Sequence, residues 1–314
     1  MSVKNGKPGV AVLAGGVSSE REVSLRSGKA VVSALKMMGY PVELVDVTSC
    51  DISELDRPFD VFFIALHGGF GEDGSLQKIM EERGLIYTGC DAASSEHCMD
   101  KVAAKQAFAS VHLNTPPYVL IQGNASNGEI RSAARDISLP AVVKPRSEGS
   151  SVGVTIARNA ESLRKGIKEA QRYCDTVLVE QYIDGRELHV AVLGCAALPI
   201  VEVLPSREFY DYEAKYGDSG TQYSTSVDLP HMVYDRVQDA GLSAFKALGC
   251  RDFARVDVML SKNNRPFVLE VNTIPGFTEK SLLPMAAAAA GIAFPVLCDK
   301  IVQYALRRAT VASG

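Results

Sequence analysis

Asp257, Glu270 and Asn272 offer hard oxygens to a cation, and their spacing decides whether they can act together. They lie in ARVDVMLSKNNRPFVLEVN, two alternating runs around a turn rich in Asn and Pro, the pattern of a β-hairpin. With the turn centred on Asn263-Asn264, Asp257 lies opposite Glu270 and Arg255 opposite Asn272. Period-two alternation then puts these four on one face and Val256, Val258, Leu269 and Val271 on the other. Two carboxylates facing each other at roughly 5 Å between Cβ atoms repel unless a cation sits between them. Such oxygens suit Mg²⁺, which takes a few protein ligands and completes its shell with nucleotide phosphates. A solvated polar face on an edge hairpin has the same pattern. One residue of change in turn register destroys the pairing, so on the hairpin alone the two readings weigh equally.

Glu148-Gly149-Ser150-Ser151-Val152-Gly153 follows a strand ending in Lys144-Pro145. Glycines let backbone N–H groups approach a phosphate, and the two serine hydroxyls add donors. Taken alone, such a loop is more simply explained as an ordinary hairpin turn, and Lys144 gains meaning only by preceding it. Lys101, in Met99-Asp100-Lys101, reads equally as a phosphate-binding lysine or as an exposed helical one. The chain has no G-x-x-x-x-G-K-[ST], and Gly15-Gly16 lacks the full dinucleotide fingerprint, which leaves P-loop and classical Rossmann assignments unsupported. Glu20 stands at a helix start, where the helix dipole favours a carboxylate. His67-Gly68-Gly69-Phe70-Gly71-Glu72-Asp73-Gly74 follows a buried strand, at the sheet edge where α/β ligands bind, although His67 could simply donate to a backbone carbonyl. Glu180 and Glu187 flank Tyr182, a strand and hinge able to hold an adenine or else two surface glutamates beside a packed tyrosine.

The elements that must position these residues begin with a βαβ rhythm: Val10 to Leu13, a helix carrying Val31, Ala34, Leu35 and Met38, then Val42 to Val47 and Val61 to Leu66. Ser19 and Glu22 match a capping box at the helix start, and Gly39 with Pro41 stops it. A helix through Lys101 to Phe108 gives way to Asn114-Thr115-Pro116-Pro117, which must be extended, and a domain boundary falls near there. Strands at Ala141 to Lys144 and Val177 to Glu180, around a helix from Glu161 to Arg172, suggest a small α+β lobe. Strands at Glu187 to Leu193 and Leu198 to Leu204 precede a polar stretch from Pro205 to about Leu229 without apolar period, the signature of a functional lid or of disorder. With 46% hydrophobic and 22% charged residues in 314 and a net charge of −4, the chain has a globular composition and no basic excess for nucleic acid or anionic membrane. Seven scattered cysteines without a C-x-x-C pair suggest neither a disulfide framework nor a zinc site, and a reducing cytoplasm fits. Neither a signal peptide nor a membrane span is expected.

The motifs AGGVSSEREVSLRSG, ALHGGFGEDGSLQ, Tyr87-Thr88-Gly89, Met99-Asp100-Lys101, VVKP with EGSSVG, YDYEAKY, RVDVML and LEVNTIPGFTEKSL stand in the order and spacing of D-alanine:D-alanine ligases. From about residue 10 to residue 285 the chain resembles that family. The resemblance implies an ATP-grasp fold of α/β class with α+β lobes: an N-terminal parallel-sheet domain (1–96), a central lobe (97–184) and a C-terminal lobe (185–314). It implies that Lys101, Lys144, Ser150, Ser151 and Lys215 bind the phosphates of ATP and that Glu180, Gln181, Ile183 and Glu187 surround the adenosine. Asp257, Glu270 and Asn272 would hold two Mg²⁺, with Mn²⁺ a substitute. Glu20 would take the first D-alanine's ammonium and form a hydrogen-bonded closure with Ser150 and Tyr216. Arg255 and the Gly276 N–H would face the developing oxyanion, and Ser281 with the Leu282 N–H would take the second D-alanine's carboxylate.

The expected chemistry passes through an acyl phosphate, made by attack of the first carboxylate on the γ-phosphate and consumed by the second amine. Tyr182, Gln181 and Thr225-Ser226-Val227 depart from more usual residues, which bears on adenine packing and loop closure. A D-alanine:D-lactate ligase is the nearest alternative, and Tyr216 favours the dipeptide enzyme. Another ATP-grasp ligase or a non-catalytic nucleotide-binding module is the more distant reading. The family also implies a homodimer.

Overall fold

The computed structural model describes residues 6–123, 125–204 and 220–312. The first sheet is parallel, in the order β2-β1-β3: β1 (Val10–Gly15), β2 (Val42–Val47) and β3 (Val61–Ile64). VAVLAG and VFFI carry no polar side chain and are buried along their whole length, as parallel strands covered on both faces require. Helix α1 (Arg21–Met37) crosses between β1 and β2, and short helices α2 (Gly69–Glu72) and α3 (Ser75–Glu82) follow β3. The expected Ser19/Glu22 capping box does not form. Glu20 occupies the N-cap without a side-chain cap bond, and the Ser18 hydroxyl accepts from the Glu20 N–H instead. Gly39, with φ of +79°, closes the other end as expected: its N–H reaches the Lys36 carbonyl and Tyr40 N–H that of Leu35.

Helices α4 (Ala92–Met99) and α5 (Lys101–Ser110) lead to the second sheet. It holds β4 (Tyr118–Ile121), β5 (Ala141–Pro145), β6 (Thr155–Ala157) and β7 (Val177–Gln181) in the antiparallel order β4-β7-β5-β6, with α6 (Asn127–Ile137) and α7 (Ala160–Ala170) packed on it. Asp100 caps α5 by accepting from the Val102 and Ala103 N–H groups, and its carboxylate is also held by Arg146. The third sheet runs β11-β10-β8-β12-β13, from β8 (Gly185–Leu193), β10 (Val201–Leu204), β11 (Gln222–Ser224), β12 (Phe253–Ser261) and β13 (Pro266–Asn272), with β9 (Ala196–Ala197) paired to β8. Strand β11 lies within the stretch read as one continuous loop to Leu229, because Tyr223 pairs with Val203 and packs on the core. Helix α8 (His231–Ala247) covers this sheet so closely that a Cβ on Gly241 would sit 2.6 Å from Val190. Helices α9 (Leu282–Ala289) and α10 (Phe294–Ala312) complete the chain.

The β12–β13 hairpin pairs Asp257 with Glu270 and Arg255 with Asn272, as expected, but by another route. The turn is centred on Asn263, which puts the pairs next to it one residue out of the assumed register: Ser261 N–H bonds to the Arg265 carbonyl and Asn264 takes φ of +55°. Val258 therefore pairs with Val268, and a β-bulge restores the register before Asp257. Val268, rather than Leu269, fills the core beside Val256, Val258 and Val271.

One apolar cluster joins the first sheet to the end of the chain, with Val12, Leu35 and Phe63 packed among Phe277, Leu283, Ile301 and Val302. A second lies under the third sheet and takes in Ala104 and Phe108 of α5. Among the described residues no single helix is long and apolar enough to cross a membrane.

Candidate active site

The C-terminal ends of the first sheet, the loop after β5 and one face of the third sheet converge on a cavity of about 720 Å³. Glu20, Val23 and His67 wall it on one side, Lys101 with Glu148 to Ser150 on a second, and Arg255, Glu270 and Asn272 on a third. Gly276 and Ser281 to Leu282 close the floor.

Glu20 is buried at 7% exposure, yet it serves the cavity rather than the helix end. Ser150, 130 residues away, donates its hydroxyl to the Glu20 carboxylate. Ser150 and Ser151 take φ of +47° and +61°, left-handed backbone that side-chain-bearing residues rarely adopt. This loop does connect an antiparallel pair, since Val143 pairs with Thr155, so a hairpin connection and a cavity wall coincide here. Gly68 is required where it stands: φ is +74°, and a Cβ would come within 2.8 Å of Glu20 Oε2. His67 faces the Ile274 carbonyl through Nδ1 at 3.0 Å and the Ser27 hydroxyl through Nε2 at 2.9 Å. The Ile274 carbonyl can only accept, so the His67 Nδ1–H donates to it, while Ser27 Oγ accepts from the Phe277 N–H and its own proton can point to Nε2.

Lys101 is buried and its ammonium donates a hydrogen bond to the Glu148 carbonyl; burial lowers its pKa, opposed by the charge of Glu270. Lys144 and Glu180 form an ion pair at 2.8 Å, with Lys105 at 3.1 Å from the other carboxylate oxygen. Burial alone would raise Glu180, and the two ammonium groups outweigh it to hold the carboxyl below its usual range. Gln181, Ile183 and Glu187 stand where the chain passes from β7 to β8, outside the cavity wall; Gln181 is exposed and the other two are half-buried. Ser151 is half-buried in the loop beside Ser150. Lys215 and Tyr216 lie outside the described residues, as does most of the expected lid.

On the third sheet, Arg255 binds both oxygens of Asp257, Nε to Oδ1 at 2.7 Å and a terminal nitrogen to Oδ2 at 2.8 Å. His189 Nδ1 approaches Asp257 Oδ1 at 2.7 Å from the neighbouring strand. Burial resists ionisation of Asp257, but Arg255 and His189 hold its carboxyl far below the usual range. Asn272 Oδ1 accepts from the Ile274 N–H at 3.0 Å. Asp257, Glu270 and Asn272 offer oxygen only, which fits Mg²⁺ or Mn²⁺ and not a soft metal. Among the described residues no group of three or more His, Cys, Asp and Glu side chains makes an all-protein cage. Two carboxylates and an amide instead suit a cation that draws its remaining oxygens from a ligand.

Ser281 is the N-cap of α9 without a side-chain cap bond; its hydroxyl contacts Thr278 Oγ1 at 2.9 Å. The first N–H groups of α9 thus open on the cavity, at the end of a helix that favours an anion. Gly276 lies under Ser281, where a Cβ would stand 2.6 Å from Ser281 Oγ. Cys98 also lines the cavity, its sulfur 3.5 Å from that of Cys250.

His189 and Lys105 were not singled out by sequence. A histidine facing Asp257 from the neighbouring strand needs the β8–β12 register to be seen, whereas Lys105 could have been found as a lysine one helical turn beyond Lys101.

The profile of "D-ala D-ala ligase N-terminus" matches residues 46–90, and that of "D-ala D-ala ligase C-terminus" matches residues 107–303. A D-alanine–D-alanine ligase of Citrifermentans bemidjiense is 45% identical over 301 residues, 95% of this chain and 96% of that protein. Another, from Methylacidiphilum infernorum, is 42% identical over 299 residues, with 95% and 96% covered. The crystal structure of D-alanine–D-alanine ligase from Bacillus anthracis complexed with ATP superposes with a TM-score of 0.86 at 32% identity, covering 97% of this chain and 99% of that one.

Proposed function

Because this chain belongs to the D-alanine–D-alanine ligase family and joins two D-alanine molecules at the expense of ATP, we propose that the cavity between its three sheets is where that ligation occurs. What supports the reading is convergence: Glu20, Lys101, Ser150, Arg255, Glu270, Gly276 and Ser281 come from distant parts of the sequence to one cavity.

The first D-alanine's carboxylate must approach the γ-phosphate of ATP, and two anions meet only if positive charge surrounds them. Lys101 and Lys144 supply it from the second-sheet side, with Ser150, Ser151 and the left-handed loop backbone as phosphate donors. Glu180, Gln181, Ile183 and Glu187 border the adenosine. Asp257, Glu270 and Asn272 would hold two Mg²⁺ ions, or Mn²⁺, which when bound would neutralise phosphate oxygens. Glu20 binds the substrate ammonium and, through Ser150, ties the first domain to the phosphate loop. The carboxylate oxygen takes the phosphoryl group and ADP departs. The second D-alanine, held through its carboxylate by Ser281 and the Leu282 N–H, adds its amine to the acyl phosphate. Arg255 and the Gly276 N–H stabilise the resulting oxyanion until phosphate leaves. The dipeptide is a precursor for peptidoglycan. We carry the division at residues 96 and 184, a cytoplasmic location and a homodimer as parts of the same proposal.

The test is phosphate release and dipeptide formation by the purified protein with ATP, Mg²⁺ and D-alanine, with L-alanine as control. Phosphate release should require D-alanine and match dipeptide formed. Turnover indifferent to D-alanine, or none, would reject the assignment.

A further inference from the structure

Lys105, one helical turn beyond Lys101 on α5, has no task in the reaction above. Its side chain is wholly buried on α5, where its ammonium donates to Thr115 Oγ1 at 2.6 Å and to the Pro116 carbonyl at 3.0 Å. It also lies 3.1 Å from Glu180 Oε1 and 5.2 Å from the centre of the Tyr118 ring. The other Glu180 oxygen is taken by Lys144 at 2.8 Å. One buried carboxylate therefore serves two ammonium groups. A buried ion costs far more to leave unpaired than to pair, so the second lysine matters when the first must move.

We propose that Lys105 is a positioning residue, the resident counter-ion of Glu180 that lets the Lys144 ammonium turn to the polyphosphate of a nucleotide without stranding a buried carboxylate. This rests on the reading in which Lys144 contacts the phosphates. Without Lys105, Lys144 and Glu180 close on each other as a neutral pair, and phosphate binding must break it. Thr115 and Pro116 hold the Lys105 ammonium by bonds that do not involve Lys144, so it stays in place when Lys144 leaves.

The experiment measures the affinities of ATP and of adenosine for the full chain by calorimetry, in the wild type, Lys144→Met, Lys105→Met and Lys105→Met/Glu180→Gln. The preference for ATP over adenosine reads phosphate contacts and cancels a general loosening of the pocket. Lys105→Met should reduce that preference about tenfold, the worth of one charge-assisted hydrogen bond. The double variant, which has no carboxylate for Lys144 to fall back on, should return to within about twofold of wild type. An unchanged preference in Lys105→Met alongside a reduced one in Lys144→Met would overturn the proposal and leave the phosphate reading standing. An unchanged preference in Lys144→Met would remove that reading, and the proposal with it. If Lys105→Met does not fold, the double variant carries the test, and a preference still depressed there counts against Lys105 acting through Glu180.

Discussion

Glu270 and Asp257 face each other across two strands, but their carboxylates keep different company. Asp257 accepts both prongs of Arg255 and meets His189, whereas Glu270 has no such bidentate partner among the described residues. Asp257→Asn therefore does two things at once: it weakens the cation site and leaves a guanidinium and an imidazole half-paired, a loss of about 3–5 kcal/mol of stability. Glu270→Gln is the cleaner probe and should hold stability within about 0.5 kcal/mol while ligation falls at least about a hundredfold. Thermal melts beside an ADP-coupled assay separate the two, and full ligation by Glu270→Gln at ordinary Mg²⁺ would remove the metal assignment. Lys105 makes a second prediction. Burial brings its ammonium down to about 8, against the opposing charge of Glu180, with Lys144 also facing it and lowering it further. Below that pH the folded protein carries the charge; as pH rises through it the proton is lost. Wild-type affinity for ATP should fall across that range, and the fall should be missing from Lys105→Met.

At the scale of elements, the hairpin teaches how a correct pairing can follow from an incorrect turn. The alternation of RVDV and LEVN places the polar face, but nothing in the residues announces a three-residue loop balanced by a bulge at Leu269. Strand β13 lies at the sheet edge, where an extra residue is tolerated, while β12 is bonded on both sides. Deleting Leu269 should thus straighten the ladder and keep Glu270 opposite Asp257, retaining ligation within about tenfold of wild type. Deleting Met259 should abolish it, because Arg255 and Asp257 then slip relative to His189. Equal loss from both deletions would mean the bulge is itself required. The same contrast explains what the sequence made legible. Apolar runs such as VAVLAG and VFFI, the glycine stop at Gly39 and the motif residues around the cavity could be read directly. Helix α8, with Met232, Tyr234 and Asp235 scattered through its first turns, was not, since its buried stripe becomes evident only against Val190 and its neighbours. Nor were the partners of Asp257 and Glu180, which depend on strand register and on a lysine buried against expectation.

For the molecule as a whole, the decisive feature is that the first sheet does not own its core. Val12, Leu35 and Phe63 are completed by Ile301 and Val302 of α10 and by Phe277, and Arg308 reaches back to the Tyr87 carbonyl at 2.8 Å. Residues 97–314 expressed alone should therefore fail to give a native near-ultraviolet circular dichroism spectrum, since the side chains that pack on α1 and β3 would lie open; a cooperative melt by that fragment would contradict this. The shared core also sets a schedule. A ribosome makes Phe63 roughly 240 residues before Ile301, and at about 5–20 residues per second the first sheet waits some 10–50 s for the helix that covers it. During synthesis that apolar face is a surface for chaperones to occupy, and the nascent chain becomes native only as its last helix emerges.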